Sequence, residues 1–238
     1  MKRILVIAGR ELSSYFFSPI AYVAMTIFLL GCGFLFSNDF RPGQPAGMRT
    51  IFEWMVWLLV FIVPVLSMGL LSQEWSTGTI ETLMTAPVED HEVILGKFAG
   101  SLGFMLTLLL PTLLYVVLLR AYGQPDYGPI FCGYLGIILV SGLFVAIGLF
   151  CSALTRSQIV AAVLCAALLS LVTIVPWWVG GKATLPAFWR SVVEQGVFRR
   201  YTDFAKGVLD TGNLVFFVVA TGVFLFLSVK MLESRRWK

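Results

Sequence analysis

Hydrophobic positions fall into six long, uninterrupted runs along the chain. They cover roughly residues 19–37, 54–72, 97–119, 130–153, 158–179 and 213–231. A helix needs about 20 mostly apolar residues to cross a bilayer, whereas strands of a membrane barrel would alternate over about ten residues. Because backbone groups in hydrocarbon must be paired within their own segment, continuous runs of this length predict helices. The pattern therefore predicts an all-α polytopic membrane protein with six transmembrane helices.

Residues 1–17 show a different pattern, in which apolar residues recur at helical spacing and charged residues fall mainly on the other side. The apolar positions are Ile4, Ile7, Ala8, Leu12, Tyr15 and Phe16. The pair Ser18-Pro19 ends this pattern before the first run, because a residue that precedes proline avoids helical geometry. We expect an amphipathic helix in the plane of the lipid headgroups. The alternative is a frayed basic tail.

A polar segment, residues 73–92, separates the second and third runs. Five of the thirteen carboxylates lie in it: Glu74, Glu81, Glu89, Asp90 and Glu92. Residues 79–85 follow Gly78 and are long enough for about two helical turns, which Pro87 would end. Asp90 is a candidate cap for the helix of the third run. A short helix that a partner protein recognises and an ordinary solvated loop both fit this pattern.

The composition excludes a soluble protein, because 58% of the residues are hydrophobic and only 13% are charged, with a mean hydropathy of +0.89. Basic residues gather at both ends of the chain, at Lys2, Arg3, Arg10, Lys230, Arg235, Arg236 and Lys238. The positive-inside tendency places both termini, and with them the polar segment, in the cytoplasm. Five further basic residues between positions 180 and 213 conflict with this topology.

The six runs carry no charged residue or histidine near their centres. A proton-driven carrier and an intramembrane hydrolase are therefore disfavoured, since both need ionisable groups there. The chain also lacks a phosphate-binding loop, because the nearest string, Gly180-Gly181-Lys182-Ala183, follows no predicted strand and ends in alanine instead of a hydroxyl residue. We expect no enzyme activity, no cofactor, no metal and no nucleic-acid partner. Any energy for transport would come from a separate ATPase.

Three stretches resemble a known family. The string Glu74-x-x-x-Gly78-Thr79-Ile80-Glu81-x-Leu83-x-x-x-Pro87-Val88, followed by Ile94-Leu95-Gly96-Lys97, resembles the signature of ABC-2 type transporter permeases. Arg10-Glu11 with Ser18-Pro19 and Tyr22 resembles the start of these permeases. Residues 204–210, Phe-Ala-Lys-Gly-Val-Leu-Asp, resemble the branch associated with bacterial gliding motility. The resemblance runs nearly from end to end.

This resemblance implies an interfacial elbow helix at residues 1–17 and a cytoplasmic coupling helix within residues 73–92 that docks on an ABC ATPase. The implied coupling residues are Glu74, Gly78, Thr79, Ile80, Glu81, Leu83, Met84 and Pro87. ATP and magnesium would bind to the partner chain. The resemblance also implies a pair of permease subunits, identical or different, in the bacterial inner membrane, in contact with membrane lipids.

Residues 180–213 are expected to form an extracytoplasmic loop within a single transmembrane domain, residues 1–238. Short helices near the exit of a pathway and a plain surface loop are both compatible with its aromatic clusters. The candidate outer-gate residues are Phe188, Trp189, Arg199, Arg200 and Phe204. An extracytoplasmic accessory protein is a further possible partner.

Two functions fit these expectations. The preferred one is the membrane-spanning permease subunit of an ATP-driven ABC exporter, in which ATPase motion reaches a dimeric translocation pathway through the coupling helix. The alternative is a non-transporting membrane scaffold that couples an ATPase to a motility or secretion assembly. No charged cavity in the sequence pattern identifies a cargo.

Overall fold

The computed structural model describes residues 2–39, 47–78, 89–122, 125–180 and 196–236. These residues form ten α-helices and one short 3-10 turn, with no strand among them. The helices are α1 (Lys2–Phe17), α2 (Pro19–Asp39), α3 (Arg49–Ser67), α4 (Ser72–Thr77), α5 (Asp90–Leu109), α6 (Leu113–Tyr122), α7 (Tyr127–Leu154), α8 (Gln158–Gly180), α9 (Val197–Ala205) and α10 (Thr211–Arg236), and the 3-10 turn is Leu110–Thr112.

The predicted all-α polytopic fold is confirmed. Six helical stretches among the described residues are long and apolar enough to cross a membrane: Pro19–Asn38, Arg49–Thr77, Asp90–Tyr122, Tyr127–Leu154, Gln158–Gly180 and Thr211–Ser234. The third span begins at Asp90 instead of the predicted residue 97. Its first turn, Asp90-His91-Glu92, is polar, and a hydrophobic run by itself underestimates a helix that continues beyond the hydrocarbon. As a result, Lys97 lies well inside the helix.

Helix α7 is the centre of the bundle, with α3, α5, α8, α9 and α10 packed around it. Small residues are frequent among its buried positions, including Gly133, Gly136, Ser141, Gly142, Gly148 and Ser152. Lipid tails are as apolar as leucine, so membrane helices associate through close packing, which small residues permit. By contrast, α10 is exposed along most of its length.

The third span is interrupted where α5 gives way to the 3-10 turn and then to α6. Pro111 lies in this turn, and proline cannot donate the backbone hydrogen bond that a continuous α-helix needs. The Thr112 hydroxyl donates to the Leu109 carbonyl at 2.6 Å and shares a 3.0 Å hydrogen bond with the Tyr134 hydroxyl of α7. The Tyr115 hydroxyl donates to the Leu29 carbonyl of α2 at 3.3 Å. The turn and the residues just beyond it are therefore tied to two neighbouring helices.

Helix α9 lies within the stretch for which short helices were expected. It packs against α3, α7 and α8, with Tyr201 and Phe204 fully buried. Burial, together with the nearby Glu53 carboxylate, raises the pKa of the Tyr201 phenol. Both α9 and its connection to α10 lie at the opposite end of the bundle from α1.

Candidate functional site

Helix α1 packs along α5 at a contact that only glycine permits. A Cβ atom added at Gly96 would lie 2.7 Å from the Cβ of Ile7, and one added at Gly100 would lie 2.7 Å from the Ala8 carbonyl oxygen. The spacing Gly96-x-x-x-Gly100 places both glycines on one face of α5, as in other closely packed membrane helices. The two backbones therefore touch without intervening side chains.

Lys97 lies beside this contact and is almost completely buried, with 2% of its side chain exposed. Its Nζ atom donates to Glu74 Oε1 at 2.8 Å and also to Glu11 Oε1. Arg10 Nη2 lies 3.6 Å from the same oxygen of Glu74. We call these four residues, Arg10, Glu11, Glu74 and Lys97, the buried ion-pair cluster. Its two positive and two negative charges balance.

The buried ion-pair cluster joins three separate parts of the chain. Glu11 belongs to α1, Lys97 to α5, and Glu74 to α4, at the start of the polar segment. An ammonium group away from water is tolerated only when it is paired, and removing one partner of such a pair typically costs about 3–5 kcal/mol. Because Lys97 bridges both carboxylates, α1, α4 and α5 resist separation from one another.

Tyr15 forms a second connection between α1 and the spans. Its hydroxyl donates to the Leu66 carbonyl of α3 at 3.1 Å and shares a 3.1 Å hydrogen bond with the Ser101 hydroxyl of α5. Its ring stacks on Phe104, with ring centres 4.8 Å apart. Burial raises the pKa of Tyr15, so the phenol remains a neutral hydrogen-bond donor.

The start of α4 is held by α7. The Ser152 hydroxyl accepts from the backbone N–H groups of Leu71 and Ser72 at 2.9 and 3.0 Å and donates to the Met68 carbonyl at 3.0 Å. Helix α4 then ends at Gly78, whose φ of +71° lies in the left-handed region that favours glycine. Glu74 is thereby fixed in place directly before the remainder of the polar segment.

These positions agree with a family match. The sequence model of the ABC-2 family transporter protein matches residues 10–195 of the chain. The chain belongs to the ABC-2 transporter family. A comparison with curated proteins finds no match. Its membership of the ABC-2 family identifies the chain as the membrane-spanning permease subunit of an ABC transporter. Membrane components of this family are generally not catalytic, commonly form dimers and work with an ABC ATPase.

Of the coupling residues predicted for this ABC-2 permease, Glu74 and Gly78 lie in the described part of the chain. Thr79, Ile80, Glu81, Leu83, Met84 and Pro87 lie outside the described residues. The Glu74 side chain is 15% exposed and pairs with Lys97. The family resemblance assigns Glu74 to the coupling surface, and that assignment stays a prediction.

The helix cap and the face assigned to Glu11 differ from the sequence expectations. The N-cap of α5 is Glu89, not Asp90, which is the first residue of the helix. The Glu92 side chain accepts from the Glu89 backbone N–H at 3.3 Å, and it also lies 3.6 Å from Arg3 of α1. Glu11, assigned by the pattern to the polar side of α1, lies on the face that contacts α5, because Lys97 neutralises it there.

The outer-gate candidates of the permease fall into three groups. Phe188 and Trp189 lie outside the described residues. Arg199 is exposed on α9. Arg200 donates from Nη1 to Asn213 Oδ1 of α10 at 3.0 Å, and its guanidinium carbon is 4.3 Å from the centre of the Phe216 ring. Phe204 is fully buried, 6.2 Å from the ring of Phe217. Arg200 and Phe204 thus attach α9 to the last span.

We expect Arg200→Leu to loosen α9, because the substitution removes both the hydrogen bond to Asn213 and the contact with the Phe216 ring. The loss should be about 1–2 kcal/mol. Hydrogen–deuterium exchange of Val197–Ala205 in the purified permease measures it. Arg199→Leu is the matched control and should leave exchange unchanged. Equal exchange in the two variants would contradict the anchoring role of Arg200.

Proposed function

We propose that this permease belongs to an ATP-driven exporter in which residues 73–92 receive the motion of a separate ABC ATPase. The observation that carries the proposal is the pair of contacts from Lys97 to Glu74 and Glu11. Through them, the start of the polar segment is attached to the N-terminal helix and to the third span. ATP and magnesium would act on the partner, and this chain would convert the motion into a rearrangement of its helices.

The path of force follows from the order of these contacts. Glu74 lies four residues before Gly78, where the first described part of the polar segment ends. A displacement of the docked segment would pull on α4, and Lys97 would pass the displacement to α1 and α5 at once. Separating desolvated charges is costly, so movement of the three helices together is favoured over rupture of the buried ion-pair cluster.

Several further features belong to the same proposal. Two copies of the permease, or one copy with a related subunit, would enclose the pathway, and α9 would lie near its exit. Both termini and the polar segment would face the cytoplasm of a bacterial inner membrane, as the basic residues at the chain ends favour. The resemblance of residues 204–210 supports a place in the gliding-motility branch.

A charge reversal in the predicted coupling helix tests the proposal. Glu81→Arg, in a permease co-expressed with its ATPase, should reduce both the yield of the complex and permease-stimulated ATP hydrolysis by about tenfold, because a steering carboxylate would be replaced by a repelling charge. Glu233→Arg is the matched control, since Glu233 lies near the end of α10 and pairs only locally with Lys230 in the described structure.

Unchanged hydrolysis and unchanged yield with Glu81→Arg would remove this segment from the ATPase interface. Hydrolysis that depends on Glu81 without any export of cargo into vesicles would instead favour the scaffold function. Accessibility of a cysteine at position 81 to a membrane-impermeant reagent, added to intact cells, tests the topology: labelling from outside would overturn the cytoplasmic assignment.

A further inference from the structure

Helices α3 and α4 are two parts of one long helix that is broken between them. The membrane-spanning stretch Arg49–Thr77 has 29 residues, yet α3 ends at Ser67 and α4 begins at Ser72. The φ of Leu71, directly before α4, is −124°, whereas a regular α-helix has a φ of about −63°. Residues 68–71 contain no proline, so the break has another cause.

The hydroxyl of Ser152, on α7, occupies this break. In a continuous α-helix each amide donates to the carbonyl four residues earlier. Here the amides of Leu71 and Ser72 both donate to Ser152 Oγ, at 2.9 and 3.0 Å. Ser152 Oγ in turn donates at 3.0 Å to the Met68 carbonyl, the acceptor that the Ser72 amide would otherwise use. A side chain that enters the hydrogen-bond ladder in this way bends a helix.

Gly148 allows the Ser152 side chain to come this close. It lies one turn before Ser152 on the same face of α7, and a Cβ atom added there would lie 2.5 Å from the Cβ of Ser67. A larger residue would therefore push α7 away from α3. Because Leu71, Ser72 and Ser152 are all fully buried, water does not reach the two amides, and the chain itself must supply their acceptors.

A straight helix would satisfy the same polar groups. The Leu71 amide would then donate to the Ser67 carbonyl, and the Ser72 amide to the Met68 carbonyl. The Ser152 hydroxyl would donate to a carbonyl of its own helix, four residues earlier, as serines in helices do. Each amide keeps one acceptor in either form, so the bent and straight forms differ little in hydrogen bonding.

We propose that Ser152 positions α4, because it holds a helix with two stable forms, Arg49–Thr77, in the bent one. When the hydroxyl withdraws, the helix becomes straight and α4 moves away from α7. Since Lys97 attaches α4 to α1 and α5, these three helices would shift together. The bend concerns the permease alone. Its use in transport rests on the proposed function, in which an ATPase that binds one form better would shift the population toward it.

Hydrogen exchange of the Leu71 and Ser72 amides tests the proposal in the purified permease without its ATPase, read at single-residue resolution. In Ser152→Ala both amides should exchange within about twofold of the wild-type rate, because the straight helix supplies backbone carbonyls for them. If Ser152 only capped α4, both buried amides would lose their acceptor, and exchange would accelerate about tenfold or more.

The position of α4 is a second measurement. Spin labels at Ser76→Cys and Ile159→Cys occupy exposed positions on α4 and α8, and the four native cysteines are buried. Because α4 contacts α7 and α8 in the bent form, its departure lengthens the distance between the labels. Ser152→Ala should lengthen it by about 4–5 Å, since a tilt of about 30° displaces the end of a helix about 9 Å long by that amount.

Two further variants separate the hydroxyl from its surroundings. Ser152→Thr retains the hydroxyl and should restore both the wild-type distance and the wild-type hydrogen bonding of α4. Ser141→Ala is the matched control, because Ser141 is a buried serine on the same helix whose Oγ has no hydrogen-bond partner among the described residues. It should leave amide exchange and the label distance unchanged.

Accelerated exchange of both amides in Ser152→Ala would overturn the proposal, and so would an unchanged distance between the labels. ATPase stimulation is measured separately on the co-expressed complex. A longer distance in Ser152→Ala with unaltered stimulation would uphold the two forms of the helix and contradict their use in coupling. Loss of stimulation in Glu81→Arg, with an unchanged distance in Ser152→Ala, would uphold the proposed function and overturn the positioning role of Ser152.

Discussion

Replacement of Lys97 by methionine is expected to lower the free energy of unfolding by about 3–5 kcal/mol. The substitution preserves the apolar volume of the side chain but leaves Glu11 and Glu74 facing each other without a cation between them. The measurement is chemical unfolding of the purified permease in detergent, followed by tryptophan fluorescence. We also expect ATPase stimulation to fall in the co-expressed complex, because α4 would no longer be attached to α1 and α5.

Lys230→Met is the matched control for this prediction. Lys230 pairs with Glu233 on the surface of α10, with 55% of its side chain exposed, and such pairs contribute at most about 1 kcal/mol. The triple variant Lys97→Met, Glu11→Gln, Glu74→Gln should recover much of the stability without recovering ATPase stimulation, since the one charge left in the cluster belongs to Arg10, whose side chain is 65% exposed to water. A Lys97→Met chain as stable as the wild type would refute the buried ion-pair cluster as a structural connection.

Gly100→Ala is expected to destabilise the docking of α1 by about 1–3 kcal/mol. The added methyl group would lie 2.7 Å from the Ala8 carbonyl oxygen and from the Glu11 Cβ atom, and neither position can move unless the two helices separate. Limited proteolysis within residues 1–17 reports the undocking, and thermal unfolding in detergent reports the loss of stability.

Gly103 provides the comparison on the same helix. A Cβ atom there would lie 3.7 Å from the Leu12 side chain, an ordinary van der Waals distance, and alanine has the higher helix propensity. Gly103→Ala should therefore leave the docking of α1 unchanged or slightly strengthened. The same sensitivity to proteolysis in both variants would mean that close backbone contact at Gly100 is not what holds α1.

The spans follow from the sequence because hydrophobic length is a local property. The runs around residues 19–37 and 130–153 each correspond to one helix, and the interruption of the third span coincides with Pro111. Lys97 is different. The sequence shows a lysine at the edge of an apolar run, but its partners are 86 and 23 residues away, and no local pattern identifies them.

Local sequence patterns also do not identify the packing partner of the N-terminal helix. Its helical periodicity is evident, and Gly96-x-x-x-Gly100 indicates a close approach by some helix. Neither pattern predicts that α1 and α5 contact each other, because that contact depends on the path of the chain after the second span. Glu11 illustrates the consequence: by residue type it belongs on the polar face, and only the position of Lys97 explains why it faces inward.

The 3-10 turn at Leu110–Thr112 gives the third span the properties of a lever. Thr112, in the turn, is hydrogen-bonded to α7, and Tyr115, just beyond the turn, is hydrogen-bonded to α2, so the turn serves as a fulcrum. Before it, α5 extends over 20 residues, about 30 Å at 1.5 Å per residue. A tilt of about 10° would swing its Asp90 end by about 5 Å. A small change in the tilt of α5 at the turn therefore corresponds to a large displacement of its other end, where α1 and α4 are attached.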